Sequence, residues 1–194
     1  MVADVELLKR NITDLPEPLP RVALIVVSGL PGTGKSHFSR RLVERVPVVI
    51  VESDAMRKIL APSPTYSSSE SGRLFKACHA LIEDLLVGGV SVLFDATNLI
   101  ERNRERLYNI AHKTSAKLII VRTLAPLDMV SDRLRQRHER PDQEDNSDAD
   151  ISVYHRMAST DEPIRRNYFS VDTSRDIAPA IEKVAREIQR WLKS

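Results

Sequence analysis

Along the chain, short unbroken apolar runs alternate with longer stretches in which apolar residues recur at helical spacing. Residues 22–28 (VALIVVS), 48–52 (VVIVE), 90–94 (VSVLF), 118–121 (LIIV) and 168–172 (YFSVD) are dominated by β-branched and other apolar side chains, the pattern of strands buried on both faces of a parallel sheet. Phe38, Leu42, Val43 and Val46 mark a helix after the first run. Leu74, Phe75, Cys78, Leu81, Ile82 and Leu85 mark another over about 72–87, stopped by Gly88 and Gly89. Residues 101–113 predict a charged helix, and Pro126 opens one that carries Leu127, Val130 and Leu134. A short helix is expected over about 151–157, and Ile177, Ile181, Val184, Ile188 and Trp191 form the buried stripe of a last one. Five strands alternating with helices predict an α/β domain whose parallel sheet is covered on both faces.

Residues 1–21 read as an N-terminal arm. A short amphipathic helix near 5–10 precedes the stiff segment 15–20 (LPEPLP), and both are expected to pack on the single domain formed by 22–194. Residues 62–69 (PSPTYSSS) read as a loop, placed over whatever binds there.

At 194 residues the chain suits one domain. Its formal net charge of +2 demands neither a nucleic-acid partner nor an anionic membrane. The lone Cys78 lies on a helical core face and cannot form an internal disulfide, so a reducing, cytoplasmic setting is expected. No apolar run is long enough to span a membrane, and no obligatory protein partner is evident. The other histidines, His79, His112, His138 and His155, have no metal-ligand spacing.

The chemistry concentrates after the first strand. Gly29-Leu30-Pro31-Gly32-Thr33-Gly34-Lys35-Ser36 fills every fixed position of the phosphate-binding pattern G-x-x-x-x-G-K-[ST]. The glycines let successive N–H groups turn toward a phosphate, and the following helix adds its unpaired N–H groups and the positive end of its dipole. The expected ATP contacts are Gly29, Pro31, Gly32, Thr33, Gly34, Lys35, Ser36 and His37, with Lys35 against the β- and γ-phosphates and the Ser36 hydroxyl on Mg²⁺. His37 offers its backbone N–H, and its side-chain role is open.

Two more strands deliver carboxylates to the same end of the sheet, where ligands bind in parallel α/β folds. The second ends in Ser53-Asp54-Ala55-Met56-Arg57, and Asp54 reads either as an active-site carboxylate or, with Ser53, as an N-cap. The third ends in Asp95-Ala96-Thr97-Asn98, where Asp95 suits Mg²⁺ or its water. Ala96 stands where motor ATPases place a water-activating Glu, and no Asn-Lys-x-Asp for guanine is present. Of Arg102, Arg104 and Arg106, which do not share one face, most are expected in solvent and one at the acceptor. Arg133 and Arg137, one turn apart, lead through Arg140 into a polar stretch, resembling a lid over about 133–150 that brings arginine to a triphosphate.

Taken in order, residues 29–36, 53–57, 95–98 and the arginine segment with Ser147-Asp148-Ala149-Asp150 resemble the AAA_33-type P-loop kinases. The nearest likeness is to polynucleotide 5′-hydroxyl kinases, and zeta toxins and gluconate or chloramphenicol kinases are more remote. The resemblance implies a P-loop NTPase three-layer α/β/α sandwich with a five-stranded parallel sheet and a helical arginine lid. It implies an ATP- and Mg²⁺-dependent kinase acting on a hydroxyl, either a polynucleotide 5′-OH or a small molecule. Asp54 is then similar to the general base, Arg57 to the residue gripping the acceptor's phosphate, Asn98 to an acceptor contact, and Arg137 and Arg140 to catalytic lid arginines beside Lys35. A nucleotide-dependent switch is the rival reading. Asp54-x-x-Arg57 favours transfer, since a switch needs no acceptor clamp.

Overall fold

Six consecutive buried residues, Ala23–Ser28, form β1, the middle strand of the sheet in the computed structural model, which describes residues 2–139 and 149–194. Such a strand has apolar side chains on both faces and needs cover on both. The helices supply it. Leu24 and Val26 face one side, packed with Val92 and Phe94 of β3 (Val92–Asp95) beneath α4 (Ser68–Val87) and α5 (Glu101–Lys113). Ala23, Ile25 and Val27 face the other, under Phe38 and Leu42 of α2 (Lys35–Val43) and Ile181, Val184 and Ile188 of α8 (Ala178–Lys193).

The sheet has five parallel strands in the order β2-β3-β1-β4-β5, with β2 at Val49–Glu52, β4 at Lys117–Leu124 and β5 at Phe169–Asp172. Connections leave β1 toward β2 on one side and β3 toward β4 on the other. This opens a crevice at the C-terminal ends of β1 and β3, where Val27 is in register with Asp95. Three further helices frame it: α3 (Ser53–Leu60), α6 (Leu127–Glu139) and α7 (Ile151–Ala158).

The arm begins with α1 (Val2–Arg10), whose Val5 and Leu8 are buried in the β3-side core against α3 and α4. The Leu19 N–H then donates to the Gly89 carbonyl at 2.8 Å. The segment expected to be a loop as far as residue 69 ends earlier, because the Ser67 hydroxyl caps α4 by accepting from the Glu70 N–H.

Candidate active site

The loop between β1 and α2 is shaped by contacts no side chain could replace. Gly34 lies at φ 81°, and α2 starts on it with no side-chain cap, leaving its first N–H groups for a ligand. At Gly29 an added Cβ would stand 2.3 Å from Thr123 Oγ1. Behind the loop, Thr33 Oγ1 is 2.8 Å from Leu30 O and 2.8 Å from Thr123 Oγ1, and the Gly29 N–H donates to Thr97 O at 3.0 Å. Gly29 and Thr33, expected among the ATP contacts, thus support the loop from behind, and Thr33 is buried because its hydroxyl is tied to β4.

The loop faces a cleft of about 1420 Å³. Pro31, Gly32, Gly34, Lys35, Ser36 and His37 line its phosphate-loop side. Desolvation lowers the pKa of Lys35, opposed by the charges of Asp95 and Asp54, while its ammonium donates to Leu30 O at 3.1 Å. Burial raises the pKa of Asp95, opposed by Lys35 and by hydrogen bonds from Ser39 and Ser36. Burial, then Arg41 and Arg40, lower that of His37.

The expected metal residues fit their ion. Asp95 is 3% exposed, and a buried carboxylate hydrogen-bonded to Ser36 beside an anion-binding loop suits a hard divalent cation. Among the described residues no group of three or more His, Cys, Asp or Glu could hold a metal ion.

Glu52 at the end of β2 and Asp54 and Arg57 of α3 also line the cleft. Neither Ser53 nor Asp54 caps α3: its N-cap is Glu52, and both lie within the first turn. Asp54 is close enough to Lys35 and Asp95 for its charge to act on both. From α6, Arg137 lines the cleft, while Arg133 is partly occupied in holding the fold, donating to Gly32 O, Thr173 Oγ1 and Thr173 O at 3.2, 2.9 and 2.7 Å. Arg140 and Ser147-Asp148 lie outside the described residues.

Two expectations give way. Asn98 is no acceptor contact: it sits at φ 46° with its carboxamide buried and donating to Val27 O at 2.7 Å. Arg104, expected in solvent or at the acceptor, is fully buried. It donates to the carbonyls of Asn98, Leu99, Glu162 and Pro163 and to the Glu101 carboxylate, fastening the segment after α7 to the loop after β3.

Sequence reasoning missed Arg40, Gln136, Arg156 and Tyr66, which also line the cleft. Arg40 carried a readable signal, lying four residues after Ser36 and so on the same face of α2. Arg156 carried none, because only the fold brings α7 to the loop.

Strand order, glycine loop and the neighbouring charges of Lys35 and Asp95 define a P-loop NTPase. The chain belongs to the AAA_33 family, described as an AAA domain, which matches residues 24–164. It is 28% identical over 122 residues to the L-seryl-tRNA(Sec) kinase of Methanococcus maripaludis, covering 60% of this chain and 47% of that protein, so it spans about half of that relative's length. Among solved structures, Chaetomium thermophilum Kti12 in complex with ADP-AlF3 is similar with a TM-score of 0.70 at 20% identity, covering 87% of this chain and 98% of that one. The Mycobacterium tuberculosis APS kinase CysC in complex with AMPPNP and APS gives 0.63 at 16% identity, covering 90% and 99%. Among the described residues no helix is long and apolar enough to cross a membrane.

Proposed function

We propose that this chain is an ATP- and Mg²⁺-dependent kinase that moves the γ-phosphoryl of ATP onto a hydroxyl, with a polynucleotide 5′-OH and a small-molecule alcohol as the two acceptor classes. One observation carries the reading: Asp54 shares a cleft with the phosphate loop and stands near enough to Lys35 for the two charges to interact. The matching kinase relative and the nucleotide-bound neighbours support ATP as donor.

In this reading the loop N–H groups and Lys35 hold the phosphates, and Ser36 and Asp95 would hold Mg²⁺, which when bound offsets phosphate charge. Asp54 takes the proton of the acceptor hydroxyl as its oxygen bonds to the γ-phosphorus and the bond to the β,γ-bridging oxygen breaks, releasing ADP. Arg137, with Arg140 as a second candidate, faces the charge that develops on the transferred group. The test is transfer of label from γ-labelled ATP to a 5′-hydroxyl oligonucleotide and to a set of small alcohols. Asp54→Asn lowers turnover roughly 10²–10⁴-fold with ATP affinity nearly unchanged. Near-normal turnover in that variant removes Asp54 as the base.

A further inference from the structure

The guanidinium of Arg57, which lines the cleft from α3, is already engaged. Arg57 Nη1 donates to Glu70 Oε1 at 2.5 Å, Nη2 reaches only Ser71 Oγ at 3.4 Å, and the guanidinium lies 4.8 Å from the centre of the Tyr66 ring. Glu70 Oε2 accepts from the N–H and the hydroxyl of Thr65 at 2.7 and 2.8 Å. The Thr65 N–H first, and Arg57 next, hold the Glu70 carboxyl at about 2, so it is ionised at neutral pH. Arg57 is 7% exposed, and its Nε is buried without a partner. If the guanidinium swings to a ligand, Glu70 loses its ion-pair partner and keeps only the Thr65 donors.

Glu52 at the end of β2 and Asp54 on α3 bring two further carboxylates to the cleft beside Arg57, whereas Lys35 and Arg40 come from α2, Arg133 and Arg137 from α6 and Arg156 from α7. Among the lining residues, the β2–α3 segment thus carries two carboxylates to one cation. Tyr66 and Phe75 add aromatic surface to the same cleft.

We propose that Glu70 sets acceptor choice by neutralising Arg57, so that the site takes a hydroxyl with no phosphate beside it, on a neutral or cationic polyol or amino alcohol. The proposal rests on the phosphotransfer reading and narrows its acceptor. A phosphate group binds arginine best through two parallel N–H bonds, and here Nη1 is held by Glu70 while Nε is buried, so the cleft is not offered a free pair of donors. Entry of that group would also set it in a cleft lined by the Asp54 and Glu52 carboxylates, and like-charge contacts of this kind exclude wrong partners. Hydroxyl and ammonium groups, by contrast, can donate to the same carboxylates.

Thymidine and thymidine 3′-phosphate are matched probes, with the same 5′-hydroxyl and one phosphate of difference. Binding of each to the protein loaded with Mg²⁺ and AMPPNP is measured by calorimetry. Label transfer from ATP is measured to both, and to serine, ethanolamine and glycerol. Thymidine 3′-phosphate binds Glu70→Gln at least about tenfold more tightly than the natural protein, while Glu70→Asp, which keeps the charge, behaves like the natural protein. In the natural protein, label goes to phosphate-free alcohols. The proposal is overturned if the natural protein binds thymidine 3′-phosphate as tightly as Glu70→Gln does, or phosphorylates it in preference to phosphate-free alcohols. If the binding contrast holds while no alcohol is labelled, the phosphate-excluding pocket stands and the kinase reading fails. If label reaches thymidine 3′-phosphate without the contrast, the kinase reading stands and Glu70 loses its role.

Discussion

His79 shows how tightly the helical layer over the sheet is packed. Its ring centre lies 6.3 Å from that of Phe75 and 6.2 Å from that of Phe94, next to Cys78, whose thiol burial pushes up to about 12. Burial, and then the charge of Arg106, push the imidazole down to about 4 from an ordinary 6.5. The unfolded chain therefore binds a proton between these values that the folded protein refuses, so stability rises with pH across that window. As pH falls from 6.5 to about 4, stability drops by the order of 2–3 kcal/mol from this residue alone. NMR titration of His79 checks this, and an imidazole that protonates near 6.5 would contradict it. The ring cage of His79 was not legible in the sequence, since Phe94 comes from a different element.

At the scale of elements, α7 is tied at its C-terminal end. Arg104 grips the carbonyls of Glu162 and Pro163, Arg122 pairs with Asp161 and donates to Ser28 Oγ at 2.9 Å, and the Glu162 N–H donates to Leu99 O at 3.0 Å. The helix that brings Arg156 to the cleft is thus braced against α5, β4 and the loop following β3. Arg104→Leu strips partners from several buried carbonyls and leaves Glu101 charged and buried. The expected loss is about 3–5 kcal/mol, read by denaturant unfolding. Helix spacing alone placed Arg104 in solvent or at the acceptor, because two of its partners are carbonyls 58 and 59 residues away. Asn98 misled for a related reason: it stands in a motif that resembles a site, but at φ 46° its side chain turns back to Val27. The phosphate loop needed no such distant information, since strand, glycines and helix lie together in the chain.

For the molecule as a whole, strand positions were legible because each apolar run is bounded by turns or helices. The sheet order was not, because pairing depends on which faces the helices cover. The same order gathers the loop, Asp95 and Asp54 at one edge, so nucleotide binding draws on contacts from several strands. A ligand that binds only the folded chain should raise its stability by about 2.7 kcal/mol at a hundredfold excess over Kd. Thermal unfolding with and without AMPPNP and Mg²⁺ measures it, and Lys35→Ala should remove most of the shift.

The position of β1 between β3 and β4 also governs how the chain acquires its structure. During synthesis the most apolar strand emerges first, yet its two neighbours begin only at residues 92 and 117. Until then β1 offers two open edges, and its pairing must close long stretches of chain, a topology that folds slowly and is exposed to aggregation meanwhile. Protection of the β1 amides from hydrogen exchange should therefore arise only once β4 has joined the sheet.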